Sequence, residues 1–170
     1  TDGAVDARVV TDVVEQLALW RIREDGAGLA ARATVPPGQS GWEDAAVPPD
    51  RLGAYLRDFD RLMEQHGLHG APYGHFGDGC VHVRLDLDLV DAGGRGRYRA
   101  FVEEAARLAA SYGGSLSGEH GDGRARSELL GTMYSPAMID LFAQVKGILD
   151  PDELLNPGVL VRPTPLDDDV

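Results

Sequence analysis

Only one cysteine, Cys80, occurs in the 170 residues, so no internal disulfide can form and a secreted-type crosslinked framework is excluded. No apolar run approaches the roughly 20 residues needed to span a bilayer. No charged-then-apolar leader follows Thr1. Basic residues are scarce, 16 against 28 acidic, and the formal net charge of −12 repels a phosphate backbone or an anionic lipid surface. Nucleic-acid binding is therefore not expected. Neither a GxGxxG nor a Walker pattern occurs, so the chain offers no nucleotide phosphate loop. The compartment expected is the cytoplasm, with membrane association only through partners. What is present is a 43% apolar composition, enough for a core, and a length suited to one domain of roughly 100–200 residues. A first residue other than methionine reads as a piece of something longer.

Val9, Val10, Val13, Val14, Leu17 and Trp20 recur at three- and four-residue steps, predicting an amphipathic helix over residues 5–23 that Gly26 and Gly28 interrupt. Residues 32–49 are rich in proline and glycine and predict a loop with one short strand near 43–47. Leu52, Tyr55, Leu56, Phe59, Leu62 and Met63 predict a second helix, with Asp50 as N-cap and Gly67 as its stop. Strict alternation of Val81, Val83, Leu85, Leu87 and Leu89 predicts a half-buried strand. A third helix is expected over 97–112, ended by Gly113-Gly114, with more helix over 125–134 and 136–149. The tail over 150–170, rich in proline and aspartate, is expected to fray. The order of elements fits an α+β fold with helices mainly on one sheet face.

Three of the five histidines lie in two glycine-rich turns, Gly74-His75-Phe76-Gly77-Asp78-Gly79-Cys80-Val81-His82 and Ser117-Gly118-Glu119-His120-Gly121-Asp122-Gly123. If Gly77–Gly79 turns the chain between two extended arms, His75 and His82 converge across it. Neutral imidazole is the commonest side-chain metal donor. Two imidazoles and the Glu119 carboxylate would leave coordination positions open, the pattern of a catalytic metal rather than a closed structural one. His120, beside them and free, suits a general base. The bland alternative, hydrogen-bonded turn histidines, requires the same coincidence twice. Asp86, Asp88 and Asp91 lack the glycine and glutamate spacing of a calcium loop. Cys80 reads as a small buried apolar group or a thiolate ligand, and His66 and His69 as structural residues at a helix end.

At these residues the chain resembles the C-terminal domain of FAD-linked oxidases, the group containing the glycolate oxidase flavoprotein subunit, D-lactate dehydrogenase and D-2-hydroxyglutarate dehydrogenase. The matching blocks are Leu19-Trp20-Arg21-Ile22-Arg23-Glu24, Tyr73-Gly74-His75-Phe76-Gly77-Asp78-Gly79 with His82, Gly114-Ser115-Leu116-Ser117-Gly118-Glu119-His120-Gly121, Asp150-Pro151 and Leu155-Asn156-Pro157-Gly158. The resemblance implies a ferredoxin-like α+β cap over residues 1–160, followed by a flexible acidic tail or linker over 161–170. It implies a flavin-dependent dehydrogenase or oxidase of 2-hydroxy acids, with FAD held mainly by a domain in cis that this chain lacks. Positions matching His75, His82 and Glu119 would bind a divalent metal, zinc or another first-row ion. His120 would be the base, Arg23 would meet the substrate carboxylate, and Asn156 would lie near the flavin. Relatives acting on dicarboxylic hydroxy acids carry a threonine and a lysine where this chain has Ala27 and Trp42. Cys80 stands in place of an asparagine and Arg84 in place of another polar residue, and this variant implies an iron–sulfur domain downstream. Two rivals remain open: a stand-alone metal-dependent hydrolase and a non-catalytic ferredoxin-like interaction domain.

Overall fold

A computed structural model describes residues 7–90 and 92–168. Its centre is a three-stranded antiparallel sheet in the order β1-β3-β2, with β1 at Gln39–Ala46, β2 at Gly70–Tyr73 and β3 at Cys80–Leu85. Helices α1 (Val13–Glu24) and α2 (Gly26–Ala31) precede it. Helix α3 (Leu52–Gln65) joins β1 to β2, and α4 (Ala92–Ser111) follows β3. The chain then returns to β1, where Ser115 and Ala46 exchange backbone bonds of 2.7 and 3.0 Å. The order strand, helix, strand, strand, helix, bridge is the ferredoxin-like arrangement with its last strand reduced to one residue pair. Helices α5 (Gly123–Arg126) and α6 (Pro136–Leu149) follow.

Period-two alternation gives β3 two unlike faces. Val81, Val83 and Leu85 are fully buried against α3 and α4. Trp42 of β1 stacks near Phe59 at 6.4 Å and donates its indole N–H to Tyr55 Oη at 3.0 Å, while Phe59 meets Phe101 edge-on at 5.9 Å. The opposite face of β3 presents Cys80, His82 and Arg84. Helices α3 and α4 thus cover one face, and α2 lies against β2 and β3.

Several expectations need adjustment. The first helix starts at Val13, because Asp12 caps it by accepting from Glu15 N at 2.9 Å; Val5 lies outside the described residues. Its apolar stripe buries nothing among the described residues: Val14 is 76% exposed and Trp20 56%. Gly26 and Gly28 sit inside the short α2, whose six residues follow directly after Asp25. Asp50 does not cap α3; Pro48 and Pro49, with their fixed φ, lead into a 3₁₀ turn at Pro49–Arg51 that feeds the helix. Gly67, at φ +64°, does stop it. The ladder of β3 ends at Leu85, where Asp86 N bonds His69 O and the Asp86 carboxylate takes the His69 backbone N–H at 2.7 Å. Leu87 remains buried beyond it. Asp91 lies outside the described residues.

His66 caps α3 with its ring against Phe101 at 5.5 Å. The stretch read as a fraying tail makes contacts as far as its described end. Asp150 accepts from the backbone N–H groups of Leu154 and Leu155, Leu166 is buried in the core, and Asp167 pairs with Arg99 at 2.7 Å. No helix among the described residues is long and apolar enough to cross a membrane.

Phe101, wedged between the sheet and α3, carries the core most directly. Replacing it with alanine is expected to cost about 3–5 kcal/mol of unfolding free energy in urea titrations. A loss below about 1 kcal/mol would contradict that central place.

Candidate functional site

Two turns bring the chemistry together on the face of β3 turned away from the α3 and α4 core. Tyr73 is registered opposite His82 across β2 and β3, and the intervening turn runs through Gly74, His75 and a 3₁₀ segment at Phe76–Asp78. Gly79, at φ +76°, closes it; a Cβ there would stand 1.9 Å from Val47 O, so only glycine fits. His75 lies within the turn rather than on an extended arm, His82 lies on β3, and their ring centres converge to 6.3 Å.

The second turn, Ser117 to His120, is held by a residue the sequence reading missed. Asp44 sits at a β-bulge in β1, at φ +85°, and is 2% exposed. Its carboxylate accepts from Ser117 Oγ at 2.5 Å, from Glu119 N at 3.0 Å and from His120 N at 2.8 Å, while its own carbonyl takes Gly118 N–H at 2.6 Å. Burial pushes the Asp44 carboxyl up, but Ser117 and the His120 and Glu119 amides outweigh it and hold it below the usual carboxylate range. The signal available in the sequence was the break in alternation at Glu43-Asp44, which marks a bulge.

So held, Glu119 reaches across to both histidines. Its Oε1 lies 3.3 Å from His75 Nε2 and 3.3 Å from His82 Nε2. His120 stacks on His82 with ring centres 5.0 Å apart and stays half exposed, its Nε2 3.9 Å from Glu119 Oε1. Cys80 Sγ lies 3.9 Å from His82 Nε2 and donates to Asp44 Oδ1 at 3.6 Å. Burial and the nearby Asp44 charge push its thiol up to about 11. Among the described residues, the donor atoms of Asp44, Cys80, His82 and Glu119 all lie within 4.8 Å of one another, spacing that fits a shared cation. His75 stands outside that group of four while still touching Glu119.

Arg23, in the last turn of α1, faces this cluster from the other side. Its Nη2 lies 3.0 Å from His75 Nδ1 and its guanidinium rests on the Trp20 ring. Arg23, Ala27, Tyr73, His75 and His82 line a cleft of about 510 Å³, within the range of small-ligand sites. Trp42 is absent from it, being buried in the core instead. Arg84 points along the same face but is engaged by Glu43 at 2.6 Å and Ser40 Oγ at 2.7 Å. Asn156 lines a different cavity, beside α6, together with Phe142, Leu149 and Val159. That cavity shares Asp122 with the smaller one at His120.

Asp44→Ala should remove about 3 kcal/mol of stability, because buried amide donors lose their acceptor. Amide hydrogen exchange at Glu119 and His120 should quicken in step, with Asp44→Asn intermediate. Unchanged exchange at those two amides would show that the loop holds itself.

The family model of FAD linked oxidases, C-terminal domain, matches residues 1–160. A D-2-hydroxyglutarate dehydrogenase of Haemophilus influenzae is 33% identical over 98% of this chain and 16% of its own length. A D-lactate dehydrogenase of Archaeoglobus fulgidus is 40% identical over 70% of the chain and 26% of its own length. The glycolate oxidase subunit GlcD of Escherichia coli is 32% identical over 92% and 31%. The chain thus spans a third or less of each of these relatives. With a family match that runs from its first residue through the Asp44-held turn to the α6 cavity, this chain belongs to the C-terminal domain family of FAD linked oxidases.

Proposed function

We propose that the chain is the substrate-side domain of a flavin-dependent 2-hydroxy acid dehydrogenase or oxidase, assisted by a metal and using a histidine base. The observation that carries the reading is the Glu119 carboxylate lying 3.3 Å from both His75 and His82, with His120 stacked on His82 and half exposed. Family membership and the names of the relatives support the substrate class; the small share of each relative that the chain spans supports an FAD-binding domain in cis. An iron–sulfur domain downstream belongs to the same reading. Both considerations favour it over a stand-alone hydrolase or a passive interaction module.

His75, His82 and Glu119 would hold a divalent cation, zinc or another first-row ion, which supplies a Lewis acid that acidifies a hydroxyl brought against it. FAD supplies the hydride acceptor, and Asn156 would lie on its side of the domain. The chain's own residues do the rest. Arg23 presents a planar fork of donors that suits a carboxylate. Seated there, a substrate fills the cleft between Arg23 and His82 and displaces water from the histidine edges. His120 takes the hydroxyl proton, and its ring is exposed enough to pass the proton on to solvent. Asp44 fixes where that imidazole stands by holding its backbone N–H. Ala27 lines the same cleft, so the side chain of the hydroxy acid is decided in part there.

In the full-length enzyme, His120→Ala should lower kcat by about 10²–10⁴-fold, the usual size of a general-base contribution. Metal content, measured by elemental analysis, should not change. Near-normal turnover in that variant would refute the assignment.

A further inference from the structure

Cys80 has no part in the reaction just described, yet it shares the face of β3 that carries His82. Two positions apart on one strand, the two side chains point the same way. The sulfur is confined. Gly118 crosses directly over it, where a Cβ would stand 3.0 Å from Sγ, and the thiol faces Asp44 at 3.6 Å. His82 is equally enclosed, 6% exposed, with Nδ1 lacking any hydrogen-bond partner and Nε2 turned into the cluster.

The separations have the size of coordination edges. Sγ lies 3.9 Å from His82 Nε2, and His82 Nε2 lies 3.3 Å from Glu119 Oε1. A tetrahedral zinc with bonds of about 2.3 Å to sulfur and about 2.0–2.1 Å to nitrogen or oxygen has donor–donor edges of about 3.3–3.6 Å. The two edges at His82 Nε2 therefore match such a site to within a few tenths of an ångström, and Sγ lies within 4.8 Å of the Glu119 carboxylate. Asp44 has other work: Ser117, Glu119 and His120 occupy its oxygens, so it aims the thiol rather than binding the ion. His75 joins the group through Glu119, its Nε2 3.3 Å from Oε1, while Arg23 approaches its other ring nitrogen at 3.0 Å.

We infer that Cys80 is a thiolate ligand of the ion held by His82 and Glu119, and that the site therefore takes zinc or another thiophilic first-row ion in preference to magnesium or calcium. This rests on the metal-binding reading above and names the character of that ion. Coordination forms one metal–sulfur bond and releases the thiol proton to solvent; nothing is oxidised or reduced. A sulfur donor suits zinc, whereas magnesium and calcium select oxygen.

The test is X-ray absorption at the zinc edge on the full-length protein, stripped with a chelator and reloaded with one equivalent of zinc. The expected spectrum has a sulfur shell at about 2.3 Å beside nitrogen and oxygen at about 2.0–2.1 Å. Cys80→Ser should lose the sulfur shell while keeping the lighter one. Zinc retained by the unaltered protein in an all-nitrogen-and-oxygen shell would overturn the role of Cys80 and leave the metal reading standing. A sulfur shell that persists in Cys80→Ser would do the same. Failure of the unaltered protein to retain zinc at all would remove the metal reading and this inference with it. The unaltered protein's spectrum decides the matter even if the variant folds poorly.

Discussion

The buried carboxylate of Asp44 is the constraint on which the site depends. It is placed at a bulge, in a backbone conformation few non-glycine residues adopt, and surrounded by protein on nearly every side. Taking a carboxylate out of water is costly unless donors surround it. Here a hydroxyl and two backbone amides do so, and all three belong to the turn that carries Glu119 and His120. The same bonds that make Asp44 tolerable in the interior therefore fix where the two functional side chains leave the backbone. Neither the bulge nor the turn has this geometry without the other.

The sheet separates stability from chemistry by its pleat. Val81, Val83 and Leu85 give one face of β3 to a core of Trp42, Phe59 and Phe101, and the rigidity of that packing reaches the other face through the backbone. Cys80 and His82 are thus held on a strand rather than a loop, which limits how far they can drift. Glycine works at the margins. Gly79 lets the first turn pass under Val47 O, and Gly118 lets the second press against the Cys80 sulfur. Both are close approaches that a side chain would block.

Arg126 orders the region behind the site through an aromatic ring and two carbonyl oxygens. Its guanidinium lies over the Trp42 ring at 4.7 Å and donates to the carbonyl oxygens of Glu43 and Leu116. Burial lowers its pKa, and the carboxylates of Asp44 and Glu43 act against that shift. One cation thereby ties the bulge of β1 to the chain leaving the Glu119 turn. The apolar sides of α1 and α6 are a different matter: Val13, Leu17, Leu141 and Ile148 are exposed in the described chain, which spans a third or less of the relatives described above.

The sequence by itself determined the elements whose signal is local. Leu52 to Met63 repeats at helical spacing and is a helix; Val81 to Leu85 alternates and is a strand; the glycines around His75 and Glu119 mark turns, and the histidines there stand out because turns do not require them. These are properties of a few neighbouring residues, so they are legible without the fold. Tertiary structure alone decided that Val14 and Trp20 of α1 stand exposed among the described residues, that Trp42 fills the core rather than the cleft, and that Asp44 reaches 75 positions along the chain to hold the Glu119 amide. Each of those depends on which distant backbone comes alongside, a matter of packing and not of local pattern. Glu119 was legible as a ligand candidate, but its distance to His75 and His82 was set by a bulge in another strand.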